Sequence, residues 1–138
     1  MGLVWSLQAE WQYLLQVSPH TAMELVPVEE ALMQEFIPAL FGRRMEVTTN
    51  DRILYTNSVK AGGLDIRDPC HEAGSLNETS KAASKLLVTA LVEGTDLSLV
   101  GHKKTVRAAS TEARTAKKEE EKLVVAERKA RINTKEKK

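Results

Sequence analysis

Carboxylates are the first side chains to test for chemistry, because enzymes that transfer phosphoryl groups hold two metal ions with clustered aspartates. This chain has no adjacent aspartate pair, and expected turns or helices separate its four aspartates, Asp51, Asp65, Asp68 and Asp96. Asp65 and Asp68 flank Arg67, which partly neutralises them, and a hard cation usually gathers more oxygen ligands than two side chains. The sequence therefore predicts no catalytic residue and no metal site, and Asp68 before Pro69 is interpreted as a turn residue.

Cys70 and His71 are residue types that bind zinc or act as a nucleophile with its base. A zinc site needs about four ligands, however, and the other histidines, His20 and His102, stand alone. Neighbouring side chains also point apart, so adjacency does not create a Cys–His contact. We interpret Cys70 as a thiol beside a loop. A single cysteine cannot form an internal disulfide, which favours an intracellular location, cytoplasmic or nuclear.

The paired glycines Gly62 and Gly63 are of a type found in phosphate-binding loops, but neither the Walker spacing nor G-x-G-x-x-G follows them. They are better explained by backbone need, since two glycines take positive φ at little cost and reverse the chain between helices. Lys60–Pro69 is therefore predicted to be a turn followed by an extended piece, with no bound cofactor.

Basic residues are concentrated in the last part of the chain. Residues 1–100 contain seven Lys or Arg and thirteen Asp or Glu, net −6, whereas residues 101–138 contain thirteen and six, net +7. We therefore divide the chain into an acidic helical domain, 1–100, and a basic tail, 101–138, which is helical or partly disordered. The candidate nucleic-acid-binding residues are Lys103, Lys104, Arg107, Arg114, Lys117, Lys118, Arg128, Lys129 and Arg131. Such residues neutralise phosphates without reading sequence, but Glu119–Glu121 interrupt them, and the same charge also solubilises a helix.

Two helices are predicted before residue 43. The first is amphipathic, ends before Pro19, and carries its apolar residues at helical spacing: Leu3, Leu7, Trp11, Leu14 and Leu15. Pro27 at a first-turn position predicts the second helix, which Gly42 should end. Pro38 lacks an N–H inside this pattern, so we expect it to kink or divide the second helix.

Two further helices are predicted before residue 95. Asn50 is a candidate cap for a short helix that reaches about Asn57. Ser75 to Glu78 has the form of a capping box, which predicts the start of a longer helix that Gly94 should end. The buried stripe of that helix is predicted to be Ala83, Leu86, Leu87, Ala90 and Leu91.

The predicted fold class is all-α: a bundle of three or four short helices with a Gly-Gly turn and a long, solvated basic C-terminal helix. Thr105 onward is rich in strong helix formers, but its few apolar residues make no sustained heptad, so a single helix frayed at Asn133–Lys138 is expected. The predicted core consists of Trp11, Leu14, Leu32, Phe36, Leu40, Leu86, Leu87 and Leu91.

Four ordered segments between residues 5 and 91 carry a resemblance to a known family. They are Trp11–Leu14 (WQYL), Val28–Leu32 (VEEAL), Phe36–Gly42 (FIPALFG) and Gly62–Pro69 (GGLDIRDP). This order resembles the stretch after the polymerase core in retrotransposon reverse transcriptases, in which a Gly-Gly-Leu-Gly-Ile-x-x-Pro turn is the most specific element. Asp65 occupies the position of the third glycine in that turn, and Thr56–Val59 replaces the Leu-Pro-x-Arg or Lys approach to it. Both departures indicate a diverged copy.

The resemblance implies an RNA-directed DNA polymerase as the parent family, with its catalytic aspartates upstream of the matched region. We therefore expect a non-catalytic fragment or relic that braces a polymerase body and contacts nucleic acid non-specifically through its tail. The alternative is a free-standing helical module that binds a protein partner through the Leu3–Leu15 stripe or the tail.

Membrane attachment has little support in the sequence. No apolar run approaches the roughly 20 residues that a membrane-spanning helix needs. Met1–Ser6 loosely fits the pattern for myristoylation at Gly2, but a single acyl chain gives only marginal membrane binding.

Overall fold

The computed structural model describes residues 2–42 and 45–135, and side chains over 6–42 and 45–132. Within these residues the chain is all-α without a strand, which confirms the predicted fold class. The α-helices are α1 (Gly2–Val17), α2 (Val26–Ala31), α3 (Ile37–Leu40), α4 (Thr49–Thr56), α5 (Pro69–Glu93) and α6 (Leu99–Lys135). Two short 3₁₀ turns span Thr21–Leu25 and Val59–Ala61, and a π-helical turn, Leu32–Phe36, joins α2 to α3.

Helix α5 is the central element, because α1, α2, the Thr21–Leu25 turn and α6 all pack against it. Asn77, buried on α5, donates from Nδ2 to the Gln16 carbonyl of α1 at 3.3 Å. At the far end of the chain, Lys117 of α6 reaches Glu72 in the first turn of α5. Since a short turn also joins the end of α5 to the start of α6, these two helices form an antiparallel hairpin.

The apolar core lies beside the Gly-Gly turn rather than along α5. Ile37, Val47 and Ile66 are buried there, and five half-buried side chains pack around them: Leu32, Met33, Phe36, Tyr55 and Leu64. Leu15 of α1 is also fully buried. The predicted core members Leu32 and Phe36 therefore lie at the core, and Trp11 is half-buried.

Five predicted core residues are instead exposed, so that part of the prediction was wrong: Leu14, Leu40, Leu86, Leu87 and Leu91. On α5 the buried residues Pro69, Ala73 and Asn77 lie in the first turns, whereas the three exposed leucines lie toward the end of the helix. On α1, the polar Gln8 takes a buried position that the apolar pattern did not assign to it. The helical spacing was right, but the buried face of α1 is rotated from the one predicted. On α5, Ala83 and Ala90 of the predicted stripe are half-buried.

Two predicted helix starts were also wrong. The N-cap of α4 is Thr48 rather than Asn50; its side chain accepts from the Asp51 N–H, and Asp51 in turn accepts from the Thr48 N–H. Helix α5 starts at Pro69, with Asp68 as its N-cap, so Ser75 lies inside the helix and donates back to the Glu72 carbonyl. The pair of Asp68 cap and Pro69 at the first position starts the helix before the predicted capping box.

Pro38 is accommodated without ending the helical path. The π turn that precedes it closes with the Ile37 N–H bonded to the Leu32 carbonyl, and α3 then starts with Pro38 in its first turn. A π turn widens the helix locally, which makes room for a residue that has no N–H to donate. Gly42 follows α3 with φ +64°, as predicted for a helix end.

The predicted long C-terminal helix is confirmed, but one side of it is packed. It starts at Leu99, so the proposed boundary between residues 100 and 101 lies inside α6. Its backbone is helical to Lys135; the fraying expected at Asn133–Lys138 concerns residues of which 136–138 lie outside the described part. The Gly2 myristoylation pattern likewise begins at Met1, outside the described residues.

Candidate nucleic-acid interface

The Gly-Gly turn, which we define as residues 62–68, is fixed to the rest of the body by a buried arginine. Arg52 of α4 is 4% exposed and bonds the Ile66 carbonyl through Nη1 at 2.6 Å and the Arg67 carbonyl through Nη2 at 3.0 Å. The same guanidinium forms a two-point ion pair with Glu29 of α2, through Nε–Oε1 and Nη2–Oε2. A planar guanidinium suits this role, because its donors can serve a carboxylate and carbonyls at once.

Gln8 of α1 completes the fixation of the same turn. Its amide nitrogen donates to the Asp65 carbonyl at 3.1 Å, and its amide oxygen accepts from the Arg67 N–H at 2.8 Å. The Leu64 and Ile66 N–H groups donate to the Tyr55 carbonyl. The turn therefore has satisfied backbone groups on both sides and presents its side chains from a fixed frame.

The two glycines of the turn serve different backbone needs. Gly62 has φ +81°, a left-handed conformation that glycine adopts at no steric cost. Gly63 does not have positive φ, but a Cβ added there would lie 2.1 Å from the Asn57 carbonyl oxygen. Asp65 takes φ +54°, a left-handed conformation that is uncommon for a residue with a Cβ. The prediction of positive φ was thus right at Gly62 and wrong at Gly63.

Among the described residues, Glu121 and Lys117 of α6 contact the Gly-Gly turn or the residues next to it. Glu121 accepts from the N–H of Ser58 at 3.0 Å and from its hydroxyl at 3.1 Å, just before the Val59–Ala61 turn. Lys117 lies 3.5 Å from Glu72 and 4.0 Å from Asp65. Of the nine candidate nucleic-acid residues, Lys117 is therefore the one that the structure directs toward the acidic body.

The other eight candidate residues are exposed on α6. In the part of the chain that the structure describes, none of them forms an ion pair or side-chain hydrogen bond: Lys103, Lys104, Arg107, Arg114, Lys118, Arg128, Lys129 and Arg131. Unpaired ammonium and guanidinium groups remain available to an external anion. The structure thus separates one cation that is paired with the body from eight that are unpaired.

Some of these side chains share one face of the helix. Lys103, Arg107, Arg114 and Lys118 are spaced by four, seven and four residues, and we call this set the basic stripe. At 3.6 residues per turn, that spacing aligns them along one side of α6. Each of Lys103, Arg114 and Lys118 follows a half-buried residue, so the stripe lies about 100° around the helix from the side packed on the body.

Glu119, Glu120 and Glu121 interrupt the basic run in the sequence, but each of the three carboxylates lies against a partner side chain or N–H group. Glu120 lies 3.4 Å from the His71 imidazole of α5, and Glu121 is bonded to Ser58. Glu119 pairs with Lys122 at 2.7 Å in an exposed contact. The sequence pattern alone could not distinguish these carboxylates from free ones, because their partners come from residues about 50 to 60 positions earlier or from the adjacent turn.

The residues first considered for catalysis serve structural contacts. Asp68 Oδ1 accepts from the Cys70 and His71 N–H groups at 2.8 and 3.0 Å, and Asp65 lies 3.9 Å from Arg67. Over residues 2–42 and 45–135, no group of three or more His, Cys, Asp or Glu could hold a metal ion. Burial, and then the Asp68 carboxylate, raise the pKa of the Cys70 thiol above its ordinary value of 9.0. A higher thiol pKa lowers the reactive thiolate fraction at neutral pH.

Sequence reasoning missed Gln8, Glu29 and Arg52, the residues that fix the turn. Glu29 and Arg52 are 23 residues apart, and neither stands in a motif that signals a buried ion pair. Gln8 is not among the apolar residues predicted for the first helix, and a glutamine in an amphipathic pattern is usually solvated. A signal for such pairs would require covariation among related sequences.

Comparisons with known proteins add no relative to this description. No family model, curated protein or solved structure matches the chain. Among the helices that the structure describes, none combines the length and apolarity required to cross a membrane.

Proposed function

We propose that this chain is a non-catalytic, reverse-transcriptase-like segment that contacts nucleic acid without sequence preference through the outer face of α6. The observation that carries the proposal is the sorting of charge on that helix. Lys117 is directed to the acidic body, Glu121 is bonded to Ser58, and the basic stripe remains exposed and unpaired. A face of this kind neutralises phosphates and releases counterions, which makes binding strongly salt-dependent.

The resemblance to the reverse-transcriptase segment is the second part of the proposal, and it rests on the order of the four similar segments. Ile37 and Ile66 come from two of the four similar segments and are buried in the same cluster. Asp65 adopts left-handed φ at the position of a family glycine, where a glycine would be the least strained residue. A polymerase reading frame directly upstream in the genome would support this part of the proposal, and an isolated gene with its own promoter would oppose it.

The binding part of the proposal is tested by fluorescence anisotropy with labelled single-stranded oligonucleotides of about 16 nucleotides and two unrelated sequences. We expect equal affinity for both sequences and a linear fall of log affinity with log salt, at about 0.7 per phosphate contacted. A fourfold charge-neutralised variant of the basic stripe, K103Q/R107Q/R114Q/K118Q, should lose most of the binding. Absence of binding by the wild-type chain at about 50 mM salt would refute the proposal.

A catalytic alternative is tested with the same purified protein. Because the proposal assigns no residue to metal binding or nucleophilic attack, the chain alone should not extend a primer on an RNA template in the presence of Mg²⁺. Incorporation of nucleotides that persists through further purification would contradict it.

A second candidate function is a helical module that binds a protein partner. The observation in its favour is the apolar tip of the α5–α6 hairpin, where Leu91, Val92, Leu99 and Val100 are 67–80% exposed. Exposed apolar patches of this kind mark interaction sites more often than isolated apolar residues do. Light scattering after size-exclusion chromatography would favour this function if a defined oligomer became monomeric in L91E/V100E.

A further inference from the structure

The strongest unassigned feature lies where α6 passes beyond α5. An open groove of about 440 Å³ separates α6 from the Val59–Ala61 turn. It is lined by Ala61, Lys118, Glu121, Lys122, Val125, Ala126 and Lys129. Lys118 and Lys122 lie on successive turns of α6, and Lys129 lies nearly two turns further along. The three lysines border a floor made of small apolar side chains. We call this feature the lysine groove.

The charge of the lysine groove is positive in effect. Glu121 is its one carboxylate among the lining residues, and both oxygens of that group are bonded to Ser58. Lys122 forms an exposed ion pair with Glu119, and such pairs contribute little to stability in water. Lys118 and Lys129 have no partner among the described residues. An extended anion that lies along the groove would therefore meet two unpaired ammonium groups, which are 11 residues apart on α6.

The floor of the lysine groove restricts the kind of anion. Val125, Ala126 and Ala61 provide apolar surface below the ammonium groups, so the fitting ligand has a phosphate and an adjoining less polar part. A nucleotide within a single strand has this chemistry, since its phosphate and sugar alternate along the chain. A duplex presents a wide outer surface and does not enter a concavity of this size. The lining has no aromatic residue for base stacking, so recognition is independent of sequence.

We propose that the lysine groove binds the backbone of single-stranded nucleic acid, with Lys118 and Lys129 as the phosphate contacts and Val125 and Ala126 against the sugar. This inference rests on the proposed function and assigns it a specific site. The Gly-Gly turn gains a role here, because its fixed frame sets the position of Ala61 opposite α6. Glu121 acts as a positioning residue, since its bonds to Ser58 keep α6 beside the Val59–Ala61 turn.

The probe for the test is a fluorescent single-stranded oligomer of about four nucleotides, which covers the groove alone. We expect K118Q/K129Q to weaken binding about tenfold at low salt and to lower the salt slope by about 1.4. The control K81Q/K85Q removes the same charge from the exposed side of α5, outside the basic stripe and the groove, and should change affinity less than about twofold.

A second variant tests shape without changing charge. Ala126→Leu keeps a strong helix former and fills the groove, and it should weaken the short probe while circular dichroism stays that of the wild type. Equal weakening by groove and control variants, or no effect of Ala126→Leu, would overturn the lysine groove but leave binding by α6 in place. No binding of any oligonucleotide by the wild-type chain would overturn both. Preference for a duplex, or equal binding of a polyglutamate peptide, would also overturn the single-strand assignment.

Discussion

Arg52 and Glu29 form a two-point ion pair across 23 residues of sequence, with Arg52 Nη2 lying 2.7 Å from Glu29 Oε2. Their side chains are 5% and 14% exposed, so the pair is largely removed from water. The guanidinium also donates to two carbonyls of the Gly-Gly turn. One side chain therefore links α2, α4 and the turn that faces α6.

Substitution of Arg52 should strongly destabilise the protein. Arg52→Met leaves Glu29 buried without a partner, and we expect the free energy of unfolding to fall by about 3–5 kcal/mol. Urea denaturation followed by circular dichroism measures this change. The double variant R52M/E29L removes both charges and should recover part of the loss. A loss below about 1 kcal/mol in R52M would mean that the pair behaves as a solvated surface pair.

Two glycines offer a matched test of backbone packing. Gly63→Ala places a Cβ 2.1 Å from the Asn57 carbonyl oxygen, so the turn must shift and stability should fall by more than about 1 kcal/mol. Gly74→Ala lies inside α5 with nothing within 4 Å of the new Cβ. It should raise stability by about 0.5–1 kcal/mol, because alanine is the better helix former. Thermal unfolding of both variants checks the opposite signs, and equal effects would contradict this account.

The sequence predicted the fold class because it depends on local patterns. Helical spacing, Pro27 and Gly94 predict helices and ends without knowledge of contacts, and all three predictions were right. The buried face was harder to predict, since Leu86 and Leu91 are apolar yet 39% and 74% exposed. Burial depends on which elements meet, and a single sequence does not specify this.

The candidate interface was predictable as a composition but not as an arrangement. Charge counting identified the basic residues of α6, because they lie in one segment. It could not separate Lys117, which is paired with Glu72, from Lys118, which lines the lysine groove. These neighbours differ by 100° around the helix, and only the docking of α6 on the body decides which one faces inward.

Asp68 and Ser75 distinguish the observed start of α5 from the predicted one. Asp68→Ala removes the acceptor for the Cys70 and His71 N–H groups and should cost about 1 kcal/mol of stability. Ser75→Ala lies within the helix and should be neutral or slightly stabilising, since alanine has the higher helix propensity. Chemical denaturation of the two variants under identical conditions measures the difference. A larger loss of stability in S75A than in D68A would mean that the helix starts at the predicted capping box at Ser75.

Asp65 tests the left-handed conformation of the turn. Asp65→Val introduces a β-branched residue at φ +54° and should lower the free energy of unfolding by about 1–2 kcal/mol. Asp65→Gly removes that strain together with two long ion pairs, at 3.9 and 4.0 Å, so these effects should largely cancel. Urea midpoints for both variants give the comparison. A valine variant as stable as the glycine variant would argue against left-handed φ at this position.

Cys70 provides a pH-dependent test of burial beside the α5 cap. Because burial and Asp68 raise the thiol pKa in the folded state, folding favours the neutral thiol. The stability from this preference is fully present below the ordinary pKa of 9.0 and is lost as pH rises through the higher folded pKa. The stability of the wild type relative to Cys70→Ala should therefore decrease above about pH 9, and comparing the two proteins cancels lysine titration.

The rate of thiol alkylation tests the same burial. Iodoacetamide should modify the folded protein more slowly than the urea-unfolded chain at pH 8, because less thiolate is present. Equal alkylation rates and a stability difference that does not change with pH would show that the thiol is solvated as in a free peptide.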